Sequence, residues 1–309
     1  MKLAQNVVEE LWFSDPQAEE EISFNASQSL AAKVTTITGL KTFPVVAHKI
    51  LQILGRPNYR VFDVKNALEE DPSLASGILK MGNSAFFAGY KGISTIEQAF
   101  VRLGSRSVRE TVLAVATMQM FPDVGDGTGK LIRDHCAAVA AIAQTLARDF
   151  TPKYTDGIFV SGLLHDIGKL MLIDSGEHTY SVQTLNDPYS PDGDALEERT
   201  ALGFDHGVLA GHVVAAWKLP PPIPTVVAWS HQLSRAYAER DIATMVSLLR
   251  LADSLEKLAA SEPEDYEAGL ERIAQSEAAT YLRVDKNALL SRWQTLYMLR
   301  GDALAMFSS

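Results

Sequence analysis

The chain has 309 residues, of which 47% are hydrophobic and 21% charged, and carries a net charge of −10. That balance describes a globular protein of one large or two ordinary domains and argues against a general nucleic-acid binder, whose affinity comes from neutralising phosphates. The single cysteine, Cys136, excludes an internal disulfide framework and a zinc-thiolate cluster. No apolar run reaches the ~20 residues of a membrane span, and the start "MKLAQNVVEELWF" lacks the features of a secretory signal, so a cytoplasmic location is expected.

In chain order nearly every segment has helical periodicity, and alternating strand patterns are scarce. Residues 1–37 read as a helical appendage with an acidic run. "FPVVAHKILQIL" predicts an amphipathic helix with Pro44 in its first turn. The next helix starts with Asp71 as N-cap and Pro72 at the first helical position, with Asn83 and Ser84 capping its far end. Ser94 followed by Glu97 has capping-box spacing, and that helix should stop at Gly104. Arg102, Arg106 and Arg109 fall at helical spacing and read as a solvated face.

"PDVGDGTGK", residues 122–130, predicts a linker between a first lobe at 38–121 and a second at 131–261. The apolar run "GIFVSGLLHDIGKLMLID" reads as helical, residues 175–200 as a polar excursion, and 262–309 as a helical tail that either packs on the second lobe or mediates dimerisation. His135 shares a helical face with Ile132, Val139, Ile142 and Leu146. Asp253 shares one with Val246 and Leu249, and His206 lies near Leu209, Val213 and Trp217, at ~100° per residue.

A buried ionisable group needs a partner or a metal. Any one of these residues could be a core histidine bonded to a carbonyl, or a helix cap. Together with the His165-Asp166 doublet they form an imidazole–carboxylate set that suits Zn, Fe, Mn or Ni, as bundles build metal sites from facing helices. His212 lies about 120° round the helix from His206 and reads as core or support. His48 reads as helix-face and His178 as loop.

His135, His165-Asp166 and Asp253 reproduce the order H…HD…D, and "GLLHDIGK" resembles the signature of the HD metal-dependent phosphohydrolase superfamily. "FPVVAHKIL", "EEDPSLASGILKMGNSAFF", "ISTIEQAFVRLG", "VRETVLA" and "HGVLAGHVVAAWKLPPPIP" resemble the HDOD family, the HD-related output domain, over roughly residues 38–260. The resemblance implies an all-α fold of two lobes, the second HD-like, and a bacterial signalling role through contacts with a partner supplied in trans. It further implies one or two divalent metals on His135, His165, Asp166, His206, His231 and Asp253. His231 stands for one of two histidines in the related HD-GYP pattern, the pair being either Ser230-His231 or His231-Gln232. Lys169 occupies the lysine of HDIGK, which in active relatives holds a phosphate oxygen or orients the metal water; with Asp166 it is the catalytic candidate. "HQLSRAYAERD" lacks the glutamate and GYP of that pattern, so cyclic-di-GMP hydrolysis by that route is not expected. The alternatives to a contact-only module are a metal-dependent phosphohydrolase and a non-hydrolysing nucleotide or second-messenger receptor.

Overall fold

The computed structural model describes residues 32, 34–37, 43–83, 92–121, 127–154, 156–181, 187–232 and 236–307. These form helices and connecting turns, with no strand among the described residues. The first lobe comprises α1 (Val45–Leu54), α2 (Val61–Leu68), α3 (Pro72–Gly82) and α4 (Ile96–Met120). Asp71 caps α3 by accepting from the Leu74 N–H at 2.9 Å, with Pro72 in the first turn, as expected.

Two other expected caps move by one residue. Pro44 precedes α1 as its N-cap, with a ψ of 130° that no helical residue adopts. The capping box of α4 is Thr95–Gln98, not Ser94–Glu97: Thr95 Oγ1 accepts from the Gln98 N–H at 3.1 Å, and Gln98 Oε1 accepts from the Thr95 N–H at 3.2 Å. This register turns Ala99 and Phe100 into the core. Gly104, at φ 73° and ψ 165°, interrupts α4 where a stop was predicted. Asn83 ends α3 and does more than cap it. Its Nδ2 donates to the Leu79 and Ile93 carbonyls, and its Oδ1 accepts from the Ile93 N–H at 2.7 Å, fastening α3 to the approach of α4. Ser84 lies outside the described residues.

The core of this lobe holds Ile50, Leu68, Leu74, Ile78 and Val112. The second half of α4 serves both lobes, since Leu113 and Ala114 join a different cluster containing Ile132, Leu163 and Leu209. Val34 and Ile37 are buried in that cluster too, so the end of the expected appendage belongs to the core. On α4, Arg106 is exposed and ion-paired with Asp156 and Glu110, while Arg109 lines a groove between the lobes beside Trp217 and Pro220.

The second lobe is built from α5 (Thr128–Phe150), α6 (Ile158–Leu164), α7 (Ile167–Asp174), α8 (Gly193–Leu202), α9 (His206–Ala216), α10 (Ile223–Ala228) and α11 (Arg240–Ala260). Three further helices follow, α12 (Tyr266–Ala274), α13 (Glu277–Leu282) and α14 (Lys286–Phe307). α5 starts inside the stretch read as linker, and residues 122–126 are not among those described. The polar excursion contains a helix, α8. The tail packs on the second lobe: Leu270, Ile273, Leu289 and Trp293 share a cluster with Ile142, Leu146 and Leu249.

The run 157–174 is two helices with His165-Asp166 at the break, where Asp166 has φ −106° and ψ 6°. Neighbours in a continuous helix diverge by ~100°; the break lets both side chains point inward, each residue only 2% exposed. Glycines bring the flanking helices close. A Cβ on Gly162 would stand 2.7 Å from Ala140 Cα of α5, and one on Gly168 would stand 2.1 Å from the His206 carbonyl oxygen of α9. Both obstacles are backbone, which yields little. Gly168→Ala should therefore force α7 from α9 and cost at least the ~1–3 kcal/mol typical of overpacking. Denaturant unfolding should show a lower midpoint; an unchanged midpoint would mean that the close approach is not needed.

Candidate metal centre

Four imidazoles and two carboxylates meet inside the second lobe, from α5 (His135), the α6–α7 break (His165 and Asp166), α9 (His206), the turn after α10 (His231) and α11 (Asp253). Asp166 is shared by two potential ligand groups, one with His135 and His165 and the other with His206 and His231, each set of atoms lying within 4.8 Å of one another. Asp253 Oδ1 extends the first group, 3.0 Å from His135 Nε2. His206 Nε2 lies 3.0 Å from Asp166 Oδ1. All six residues read as ligands from the sequence thus converge.

Every imidazole is held by its other nitrogen. His165 Nδ1 donates to the Gly162 carbonyl at 2.7 Å, a group that can only accept. His135 Nδ1 donates to Glu256, His206 Nδ1 to Glu198 at 2.8 Å, and His231 Nδ1 to Asp192 at 2.9 Å. Each ring, when neutral, therefore turns an unprotonated Nε2 inward, the outer-sphere arrangement that orients metal-ligating histidines. His135 Nε2, His165 Nε2 and Asp253 Oδ1 are buried without a hydrogen bond of acceptable geometry. His206 Nε2 and His231 Nε2 stand 2.9 Å apart. With both Nδ1 atoms donating, two lone pairs face each other there, and only a proton or a cation between them relieves the repulsion. The donor set and its buried, unsatisfied atoms fit a divalent transition metal.

The surrounding shell was not read from the sequence. Glu198 also accepts from the His206 N–H at 2.6 Å and from Tyr180 Oη at 2.6 Å. Asp192 is clamped by both terminal nitrogens of Arg250 at 2.6 and 2.7 Å, and Arg250 also donates to the Ser230 carbonyl beside His231. Lys257 lies 3.2 Å from Asp253 Oδ2. Lys169 Nζ sits 3.0 Å from Asp166 Oδ2 and 2.8 Å from Asp194, so it acts as the buried counter-ion of Asp166. One signal was available: Arg250, Asp253, Glu256 and Lys257 all lie in one apolar run at helical spacing. Nothing comparable marked Asp192, Asp194 or Glu198, which lie in the stretch read as a loop. His212 is buried with its Nδ1 unbonded and belongs to neither ligand group. His48 contacts Gln52, and His178 stacks edge-on against Tyr180.

An all-helical two-lobed fold whose second lobe gathers an H…HD…D set defines an HD-type domain. The chain belongs to the HDOD domain family, which it matches over residues 40–233; Asp253 lies beyond that stretch. Its fold is similar to two solved proteins from Shewanella amazonensis SB2B. One, described as "Putative phosphohydrolase", has a TM-score of 0.70 and 23% identity over 90% of this chain and 97% of the other. The other, "Putative metal-dependent phosphohydrolase", has 0.64 and 19% over 91% and 98%. A "Putative signal transduction protein" from Marinobacter aquaeolei VT8 has 0.56 and 16% over 98% of this chain and 66% of its own. A curated, uncharacterised protein of Treponema pallidum (strain Nichols) is 20% identical over 71% of this chain, which spans only 43% of that protein's length.

The charges set the proton occupancy of the metal-free centre. Burial pulls the His135 imidazole down, but Glu256 and Asp253 outweigh it and raise the pKa to about 9. For His206 burial is likewise outweighed, chiefly by Glu198, and the value reaches about 10. Burial wins at His165, which falls to about 4. Burial opposes the Glu198 carboxylate, but His206 overcomes this and holds it at about 2. The stability from His135 and His206 is complete below their unfolded pKa of ~6.5 and is lost as pH rises through about 9 and 10. His165 has the opposite sign: its contribution is complete above ~6.5 and is lost as pH falls toward about 4. Thermal unfolding of chelator-treated protein should therefore peak near pH 6.5 and decline on both sides. A melting temperature rising steadily from pH 6 to 9 would contradict these assignments.

Proposed function

We propose that this chain is a cytoplasmic regulatory module of bacterial signalling whose second lobe carries a divalent-metal centre of HD type and which works through a protein partner supplied in trans. The metal half of this reading rests on one observation, the facing Nε2 atoms of His206 and His231 beside Asp166, each fixed from behind by a carboxylate. The signalling half rests on membership of the HDOD family and on the fold shared with a "Putative signal transduction protein". His135, His165, Asp166 and Asp253 would hold one ion, and Asp166, His206 and His231 a second. Six acidic side chains in and around the centre (Asp166, Asp192, Asp194, Glu198, Asp253 and Glu256) face four fixed cations (Lys169, Arg250, Lys257 and Arg300). The excess of two negative charges is neutralised by the first divalent ion to bind or by protons on two histidines. Metal and protons therefore compete for the same atoms.

A second reading, a metal-dependent phosphohydrolase, is favoured by the position of Asp166 between both ligand groups. A bound divalent ion lowers the pKa of its water and polarises a phosphoryl oxygen. In that reaction Asp166 would orient both ligand groups, and Lys169, engaged with Asp166 and Asp194, would fix Asp166 rather than meet the phosphoryl group. The shared fold of the two Shewanella proteins is compatible with either reading.

Protein purified without chelator should contain transition metal by elemental analysis, and Asp253→Ala should lose the ion held with His135 and His165. Empty protein under metal-replete conditions would refute the centre. Glu198→Gln keeps the shape but weakens the acceptor for His206, and should lower metal affinity by about 10–100-fold in competition titrations; wild-type affinity would deny Glu198 its supporting role. Steady phosphate release from p-nitrophenyl phosphate, abolished by Asp166→Asn, would replace the first reading with the second.

A further inference from the structure

A cleft beside the centre reaches His135 and Asp166, and its wall includes Leu131, Glu256, Arg300 and Leu304. Two of these belong to the last turns of α14. That part of the helix is anchored twice. Ala303 is fully buried in a cluster with Ala138 and Ala141 of α5, one and two turns beyond His135 on the same helix. Arg300 Nε donates to Glu256 Oε1 at 2.9 Å, while the other Glu256 oxygen accepts a hydrogen bond from His135 Nδ1. The docked helix thus touches the group that orients a candidate ligand. It also narrows the approach: the cleft has a volume of about 70 Å³, far below the ~300 Å³ at which sites begin to bury nucleotide-sized ligands. Arg300 is paired with Glu256 and Asp134 also lines the cleft, so the attraction for an anion comes from the bound ion.

We propose that the C-terminal end of α14 is a size gate on the metal centre, admitting water and oxyanions the size of phosphate and excluding nucleotides while it is docked. This rests on the metal reading above and names the class of ligand that centre accepts. Displacing the helix end opens the same centre to larger phosphoesters. Any partner that pulls on this end alters access, with Glu256 coupling its position to His135.

The test uses full-length, metal-loaded protein, with metal content measured on every sample, and titrates inorganic phosphate and adenosine 5′-monophosphate by calorimetry. Wild type should bind phosphate at least about tenfold more tightly than the nucleotide. Leu304→Ala should widen the cleft and bring the two affinities together with phosphate little changed. Ala303→Glu places a charge against buried alanines and should do the same by releasing the helix end. Leu304→Trp should act oppositely and weaken phosphate, so the gate stays testable if Ala303→Glu fails to fold. Wild type that binds the nucleotide as well as phosphate, or binds neither while holding metal, overturns the gate alone. Unchanged discrimination in both Leu304 variants does so too. Wild type that takes up no metal overturns the metal reading and the gate with it.

Discussion

The Asp166 carboxylate is a buried charge that the second lobe is organised to satisfy. It sits at the break between α6 and α7, where His206 Nε2 and Lys169 Nζ approach its two oxygens at 3.0 Å each and His165 Nε2 lies 3.3 Å away. A carboxylate in such a place costs several kcal/mol unless it is paired and hydrogen-bonded, and here the partners come from its own stretch and from α9. Burial opposes its ionisation, yet the surrounding cations hold its pKa well below the usual carboxylate range. Removing any one partner leaves the others facing an uncompensated charge.

From that constraint the outer shell follows. The imidazoles that converge on Asp166 repel one another when protonated together and expose bare lone pairs when they are not. Each is therefore pinned from behind by an acceptor: Glu256, the Gly162 carbonyl, Glu198 or Asp192. The acids need cations in turn, and Arg300, Arg250 and the ring-held proton of His206 supply them. The chain of contacts reaches the C-terminal helix through Arg300 and the turn after α10 through Arg250. The tail is consequently electrostatically tied to the centre as well as packed on the lobe.

Backbone geometry makes this convergence possible. Glycine at 162 lets α6 lie against α5, and glycine at 168 lets α7 meet the first turn of α9, which brings His206 to Asp166. The first lobe contributes differently. Its last helix passes from one hydrophobic cluster into the other, so Leu113 and Ala114 pack beneath Leu163 and Leu209 and the two lobes share a continuous core.

The helical class, the cap at Asp71, the interruption at Gly104 and five of the six candidate ligands were legible in the sequence, because each depends on local chemistry or on the periodicity of a single helix; His231 came only from the resemblance to the HD-GYP pattern. The order H…HD…D added their grouping. Periodicity fixes the direction of a side chain about its own axis but says nothing about where another helix lies. The meeting of His206 with His231, the partners Glu198 and Asp192, and the turn of α14 over the cleft were therefore decided by tertiary packing. The break at His165-Asp166 was hidden for a related reason: both halves of "GLLHDIGKL" are apolar, so a buried bend reads like a buried straight helix. The sequence determined which groups this protein can offer to a metal, and only the fold decided that they face one another.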